Sequence, residues 1–400
     1  MQDSRYAWIR LAATVLLGAI GGVGMWSVVV VLPFVQVEFA VDRAGASLPY
    51  TASMLGFAAG GILMGRLADR RGIVIPIAIG ALALLAGYLA ASQARALWQF
   101  ALAHFLLIGL LGTSATFGPL MADASLWFIR RRGIAVAISA AGNYLAGSVW
   151  PPVVGHYVAL YGWRGTYIGI GLFCAATMLP LALVLRRPAP PQPRPTAGAH
   201  AGFARPLGLT PSALQNLLML AGLACCVAMA MPQVHIVAYC GDLGYGAASG
   251  TRMLSLMLGF GIISRIATGA LADRLGGLST LLIGSALQAV ALLLFMLFQG
   301  LTSLYVISAL FGLFQGGIIP SYAIVIRAYF PAKEAGARVG MVLMATLVGM
   351  ALGGWLSGLV FDATGSYRAA FANGVAWNLL NLAIAAFLLF RGRAMRPAMA

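Results

Sequence analysis

One arginine stands where an arginine is costly. Arg265 lies inside the apolar run 247–272, with Gly261 four residues before it and Thr268 and Gly269 three and four residues after. In a helix these neighbours share its face, so that face is built of small residues. Holding a cation in the hydrocarbon core costs about 2.5–3.5 kcal/mol on insertion scales. A guanidinium there offers a planar fork that never deprotonates and that matches a carboxylate at two points. The chemistry on offer is capture of an organic anion. A second reading is snorkelling. If the run ends near Ala272, about 10 Å of helix separates Arg265 from the headgroups, and its side chain could strain toward them.

Other side chains in neighbouring runs extend this candidate site. Phe117, Asn143, Tyr144, Gln315 and Tyr322 are candidates to line a cavity. For Asn143 and Gln315 a hydrogen bond between helices is an equal alternative, and Phe117, like Trp26, also reads as packing. His235 can titrate near neutral pH and is a candidate for coupling or gating; His104 reads as a structural histidine. The nine acids lie near the ends of apolar runs or between them, and no Ser/His/Asp constellation accompanies them. Cys174, Cys225, Cys226 and Cys240 show no metal-ligand spacing. The expectation is therefore no catalytic residue, no metal and no cofactor.

The elements that must position these side chains follow from composition. Hydrophobic residues make up 61% of the 400 and charged residues 8%. Soluble domains carry about 25% charged residues, so lipid must solvate much of this chain's outside. Stretches of about 20 apolar residues suffice to span a bilayer. The spacing predicts twelve helices, near 8–36, 46–68, 73–93, 97–125, 133–159, 163–186, 211–239, 247–272, 277–298, 301–328, 336–361 and 368–390. The fold class is an all-α membrane protein. The first run is too long for a cleaved signal peptide and reads as a retained helix.

Pro188, Pro190, Pro191, Pro193 and Pro195 interrupt the pattern, so 188–210 reads as an extended linker. It separates a six-helix half at 1–187 from another at 211–400. The halves repeat. Gly65-Arg66-Leu67-Ala68-Asp69-Arg70-Arg71-Gly72 ends the second helix, and Gly269-Ala270-Leu271-Ala272-Asp273-Arg274-Leu275-Gly276 ends the eighth, 204 residues later. Gly162-Trp163-Arg164 is echoed by Gly365-Ser366-Tyr367-Arg368. Six helices per half put both halves in the same orientation, a parallel repeat about the membrane normal.

The octapeptide resembles the signature of the major facilitator superfamily. The resemblance covers the whole chain: twelve helices, a central linker and both signature copies. It implies that Gly65, Asp69, Arg70, Gly72 and their counterparts Gly269, Asp273 and Arg274 gate the halves rather than bind substrate. Asp123, at the end of the fourth helix, is a candidate further partner for Arg70 or Arg71.

A narrower resemblance is to bacterial members of the monocarboxylate transporter group and to oxalate–formate exchangers. Trp127-Phe128-Ile129-Arg130-Arg131-Arg132-Gly133 leading to Ser139-Ala140-Ala141-Gly142-Asn143, and Pro232, His235, Tyr239 and Asp242-Leu243-Gly244, carry it. It places Arg265 where that group pairs an arginine with the substrate carboxylate. The sequence departs from the animal members at Gly261, where they carry an acid, and in lacking a lysine in the first helix. The stretch 340–358 has no charge, where the exchangers carry a lysine for a second carboxylate. The implied substrate is a monocarboxylate.

Together these readings predict a monomeric secondary transporter in which two bundles rock about a substrate near the midplane. A small organic anion moves with a proton. Anion exchange and proton-driven efflux of a drug or metabolite stay open, the latter needing a membrane-embedded acid. A membrane enzyme or a solute sensor is the reading from another class. The 25 cations divide, with the N-terminus inside, into 19 on the cytoplasmic side, five outside (Arg43, Arg95, Arg164, Arg252, Arg368) and Arg265 in a helix. This puts both termini in the cytoplasm, as for a bacterial inner-membrane protein, and reads the net charge of +16 as topological rather than as a nucleic-acid surface. A cysteine placed within 188–206, in a variant lacking the four native cysteines, should be silent to impermeant thiol reagents in intact cells and react in inside-out vesicles.

Overall fold

The computed structural model describes residues 4–128, 131–187 and 206–394. Most of the linker read from the sequence, at 188–205, lies outside them, as do Arg130, Arg194, Arg205 and Arg396. Among the described residues every element is helical, and eleven stretches are long and apolar enough to cross a bilayer. One of them, Gly133–Val184, has 52 residues. At 1.5 Å per residue it would measure about 78 Å, against a hydrocarbon core of about 30 Å. Gly162 resolves the discrepancy. Its φ of 68° and ψ of 167° break the helix at a conformation only glycine adopts without strain. Twelve spans result.

In chain order these are α1 (Arg5–Glu38), α2 (Arg43–Arg71), α3 (Val74–Ser92), α4 (Leu97–Trp127), then α5 and α6 on either side of Gly162 within Gly133–Val184. They continue as α7 (Pro211–Asp242), α8 (Ala247–Leu275), α9 (Gly277–Leu297), α10 (Leu301–Tyr329), α11 (Glu334–Thr364) and α12 (Tyr367–Ala394). Hydrocarbon cannot bond a free N–H or C=O, so the backbone satisfies itself within each span. The repeat is visible in the turns: Gly72 and Gly276 end the two octapeptides at φ 79° and 82°, and Gly162 and Gly365 end α5 and α11 at φ 68° and 66°.

Contacts group the chain into two compact units. The first holds Met1–Pro193 with Gln233–Gly259, and the second Arg194–Pro232 with Phe260–Ala400. The division therefore runs through α7 and α8.

In the first unit α2 presses onto α4. A side chain at Gly56 or Gly60 would collide with the carbonyl oxygens of Phe105 and Leu110. The α4 backbone there is not α-helical: it winds as a π-helix over His104–Gly112 and a 3-10 turn over Thr113–Thr116. Phe117 follows at φ −124°, ψ −82°, and an α-helix resumes at Gly118–Trp127. In the second unit α10 breaks at Gly316 and Gly317, between Leu301–Gln315 and Ile318–Tyr329. Gly112 and Gly316 are 204 residues apart, the octapeptide offset. Gly349 and Gly353 of α11 lie against the backbone of Leu223 and Val227 in α7. Small residues at i and i+4 thus allow backbone approach here too.

Gly60 and Gly61 are adjacent but differ in surroundings, since a Cβ at Gly61 meets nothing within 4 Å. Gly60→Ala should lose about 1–3 kcal/mol by overpacking, while Gly61→Ala should be neutral or gain up to about 1 kcal/mol of helix propensity. Thermal unfolding of the two purified variants checks this.

Candidate functional site

Each unit holds one broken helix, and the second unit also holds Arg265. In the second unit α8 runs to Leu275, ten residues past Arg265, so about 15 Å of helix separates them. That is longer than the sequence suggested. The two faces of α8 are distinct. Ile263 and Ile266 are 54% and 75% exposed, whereas Leu258 and Ala272, seven residues to either side of Arg265, are 1% and 5% exposed. Residues seven apart share a helix face, so Arg265 lies on the protein-facing stripe and the isoleucines on the lipid-facing one.

The α10 break packs directly beside it. A side chain at Gly316 would run into Gly261 and Ser264, and one at Gly317 into Thr268. These α8 residues flank Arg265. The residue before the break, Gln315, is 0% exposed. Among the described residues neither its Oε1 nor its Nε2 has a hydrogen-bond partner. Buried amides are normally bonded, which sets Gln315 apart from the other buried amides of this unit, Asn378 and Asn381, whose Nδ2 groups donate to Ser285.

Tyr322, read from the sequence as a cavity residue, is buried and committed elsewhere. Its hydroxyl donates to Asn381 Oδ1 at 2.8 Å, and Asn381 Nδ2 donates to Ser285 Oγ at 2.7 Å. The structure therefore brings Arg265 and Gln315 to one helix contact and ties Tyr322 into the unit's polar core.

In the first unit Phe117 stands at the α4 break, its ring edge-on to Phe57 at 5.8 Å. Asn143 is half-buried and faces α1, its Oδ1 3.2 Å from where a Gly22 Cβ would sit. Tyr144 and His235 are buried. Trp26 lies against Gly147 and Leu258, its indole Nε1 without a partner among the described residues. His104 is a structural histidine here: Ser53 Oγ is 2.9 Å from its Nδ1 and the Tyr167 hydroxyl 3.3 Å from its Nε2. Ser27 joins the same core through the Tyr88 hydroxyl at 2.8 Å.

The charges need correction. Asp123 does not pair with Arg70 or Arg71. It takes a two-point bond from Arg10, Nε to Oδ2 at 2.9 Å and Nη2 to Oδ1 at 2.8 Å, and Arg10 Nη1 also donates to Leu185 O at 2.8 Å. The ring of Trp127 lies 4.5 Å from this guanidinium. Arg10 is thus a buried structural cation that joins α1, α4 and the end of α6. Arg43 is likewise buried and bonds both Asp242 oxygens, at 2.8 and 3.0 Å. Charge alone in the sequence could not assign either partner, because each pair joins ends of distant spans.

Each octapeptide ends in a glycine at positive φ. Gly72 and Gly276 make the turns. However, no atom lies within 4 Å of a Cβ at Gly65 or Gly269, and Asp69, Arg70, Asp273 and Arg274 are exposed. Neither aspartate forms an ion pair among the described residues.

The architecture and the duplicated octapeptide find their match among known families. The model of the Major Facilitator Superfamily matches residues 14–307 and 273–398. The chain belongs to the major facilitator superfamily. Its transporters include relatives of this chain: rat monocarboxylate transporter 13 is 28% identical over 359 residues, covering 84% of this chain and 79% of the relative. The agnestins efflux protein AgnL12 of Paecilomyces divaricatus is 25% identical over 330 residues, covering 80% and 74%. A bacterial homologue of the human lysosomal transporter Spinster, solved in an inward-facing and occupied conformation, has the same fold, with a TM-score of 0.75 at 14% identity over 98% of each chain. This superfamily member is accordingly an integral membrane transporter and not an enzyme.

The Arg10–Asp123 pair makes a measurable difference. Asp123→Ala leaves a buried guanidinium without its carboxylate and should cost about 3–5 kcal/mol, whereas replacing both residues by leucine should cost much less. Unfolding midpoints of the single and double variants give the coupling.

Proposed function

We propose that this superfamily member moves a small monocarboxylate across the membrane by alternating access, with Arg265 binding the carboxylate and the Gln315 amide bonding a neighbouring polar atom. The observation that carries the proposal is the placement of a cation on the protein-facing stripe of α8, beside a helix break that holds a buried amide with no partner among the described residues. Broken helices near mid-membrane are where transporters of this general kind bind solutes and ions. The likeness to rat monocarboxylate transporter 13 supports the same substrate class.

Proton symport is the proposed coupling, since an anion and a proton cross together without net charge. Glu38, Asp69, Asp242, Asp273 and Glu334 lie at helix ends, so the proton would travel on the substrate or on a neutral polar group such as His235. Both termini are proposed to face the cytoplasm. A second reading, export of a metabolite, is favoured by the likeness to the agnestins efflux protein; it shares the site but reverses the direction.

Carboxylate binding by Arg265 is tested by substituting it. Arg265→Lys keeps the charge and loses the fork, so affinity for lactate-like anions should fall about tenfold, a change of about 1.4 kcal/mol. Arg265→Ala should abolish specific binding. Affinities from ligand-induced thermal shifts, followed by uptake into liposomes under a pH gradient, measure both. Unchanged affinity in Arg265→Ala would falsify the carboxylate assignment while leaving the superfamily assignment intact.

A further inference from the structure

At the N-terminal end of the first unit, aromatic rings and arginines interleave. Tyr6 meets Trp127 edge-on at 5.3 Å, and Trp8 meets Phe128 at 5.1 Å. The Arg187 guanidinium lies over Tyr6 at 4.5 Å and that of Arg131 over Trp8 at 5.9 Å. Both arginines are exposed, as are the adjacent Arg5 and Arg186. The nearby acid Asp123 is already bonded to Arg10 beneath the platform. The result is a row of exposed cations held on an aromatic floor at the end of the first span, which is the depth of lipid headgroups.

The platform continues into apolar surface. Ile9 and Leu16 of α1 share one exposed face, and Ile134, Ile138 and Val149 of α5 are exposed as well. Gly18 and Gly142 bring the two helices together, with a Cβ at Gly18 only 3.7 Å from the Gly142 Cα. Beyond this contact the seam opens into a groove of about 690 Å³, lined by Leu16, Ile20, Val149, Trp150, Ile170 and Phe173 among others. The one strong polar group of Trp150, its indole N–H, is spent on Ala19 O at 2.8 Å. A ligand that fits both features must carry a negative head and a long apolar tail.

We propose that this seam binds an anionic glycerophospholipid from the adjoining leaflet. Its phosphate sits among Arg131, Arg187 and their aromatic floor, and an acyl chain runs along α1 and α5 into the groove. A soluble phosphate would use the arginines and leave the groove empty. A zwitterionic lipid would enter the groove and gain less from the arginines, which favour a net negative head.

Purified full-length protein in nanodiscs of phosphatidylcholine, with and without phosphatidylglycerol, tests the proposal by native mass spectrometry of retained lipid. Wild type should retain phosphatidylglycerol over phosphatidylcholine. Arg131→Gln and Arg187→Gln should each weaken that retention about fivefold. Arg338→Gln should not, because Arg338 is paired with Glu334 at 2.8 Å in the other unit. Leu16 is exposed and lines the end of the groove nearest the arginines, so Leu16→Gln should put a polar group in the path of the tail and lower retention of both lipids. Thermal unfolding in phosphatidylcholine alone checks that each variant is folded. Equal retention of the two lipids by wild type would overturn the proposal. So would undiminished phosphatidylglycerol binding in folded arginine variants, or displacement of the lipid by free glycerol phosphate.

Discussion

Hydrocarbon offers no hydrogen bonds, and the rest of this structure follows from that. A span must bond its own backbone or lose several kcal/mol for each exposed group, so the described elements are helices. The same constraint gives weight to the places where helices are irregular. In α4 the register slips through a π-helix and a 3-10 turn between His104 and Thr116. In α10 it stops at Gly316 and starts again at Ile318. Such breaks are tolerated only where protein or an enclosed polar space takes up the freed groups. The two breaks occupy equivalent places in the repeat, 204 residues apart at Gly112 and Gly316.

Charge is handled in the same economical way. Arg10 and Arg43 are both buried, and each finds a carboxylate at hydrogen-bond distance, Asp123 and Asp242 respectively. A guanidinium without such a partner would be expensive at that depth. Arg164 and Glu38 form a third pair at 2.5 Å, and Trp163 donates to the same carboxylate. These pairs clamp helix ends within the first unit. Arg265 differs in position, lying well inside a span beside a helix break, and this location makes it the centre of the proposed site.

The two repeats solve the same packing problem with different chemistry. In the first, His104, Ser53 and Tyr167 form a buried polar core with Tyr88 and Ser27 close by. At the octapeptide offset, His104 corresponds to Ser308, Tyr88 to Leu292 and Tyr167 to Phe371. In the second unit Phe371 stacks on Phe295 at 5.1 Å, an apolar solution. The second unit has its own polar core one layer away, in Tyr322, Asn381, Asn378 and Ser285. A duplicated scaffold thus carries different polar contents.

The sequence alone determined the class, the twelve spans, the parallel repeat and the prominence of Arg265. These rest on quantities that are local along the chain: run length, residue polarity and an exact offset between similar segments. Only tertiary structure decided which charges meet. Asp123 is 113 residues from Arg10 and 53 from Arg70, and nothing in spacing could choose between them, because the choice depends on how α1 and α4 pack. The same holds for the site. Tyr322, Gln315 and Asn143 look alike as polar residues in apolar runs. Packing spends the Tyr322 hydroxyl on Asn381, turns Asn143 toward α1, and leaves the Gln315 amide buried at a break without a partner among the described residues. A side chain's availability is set by its neighbours in space, and those neighbours come from other helices.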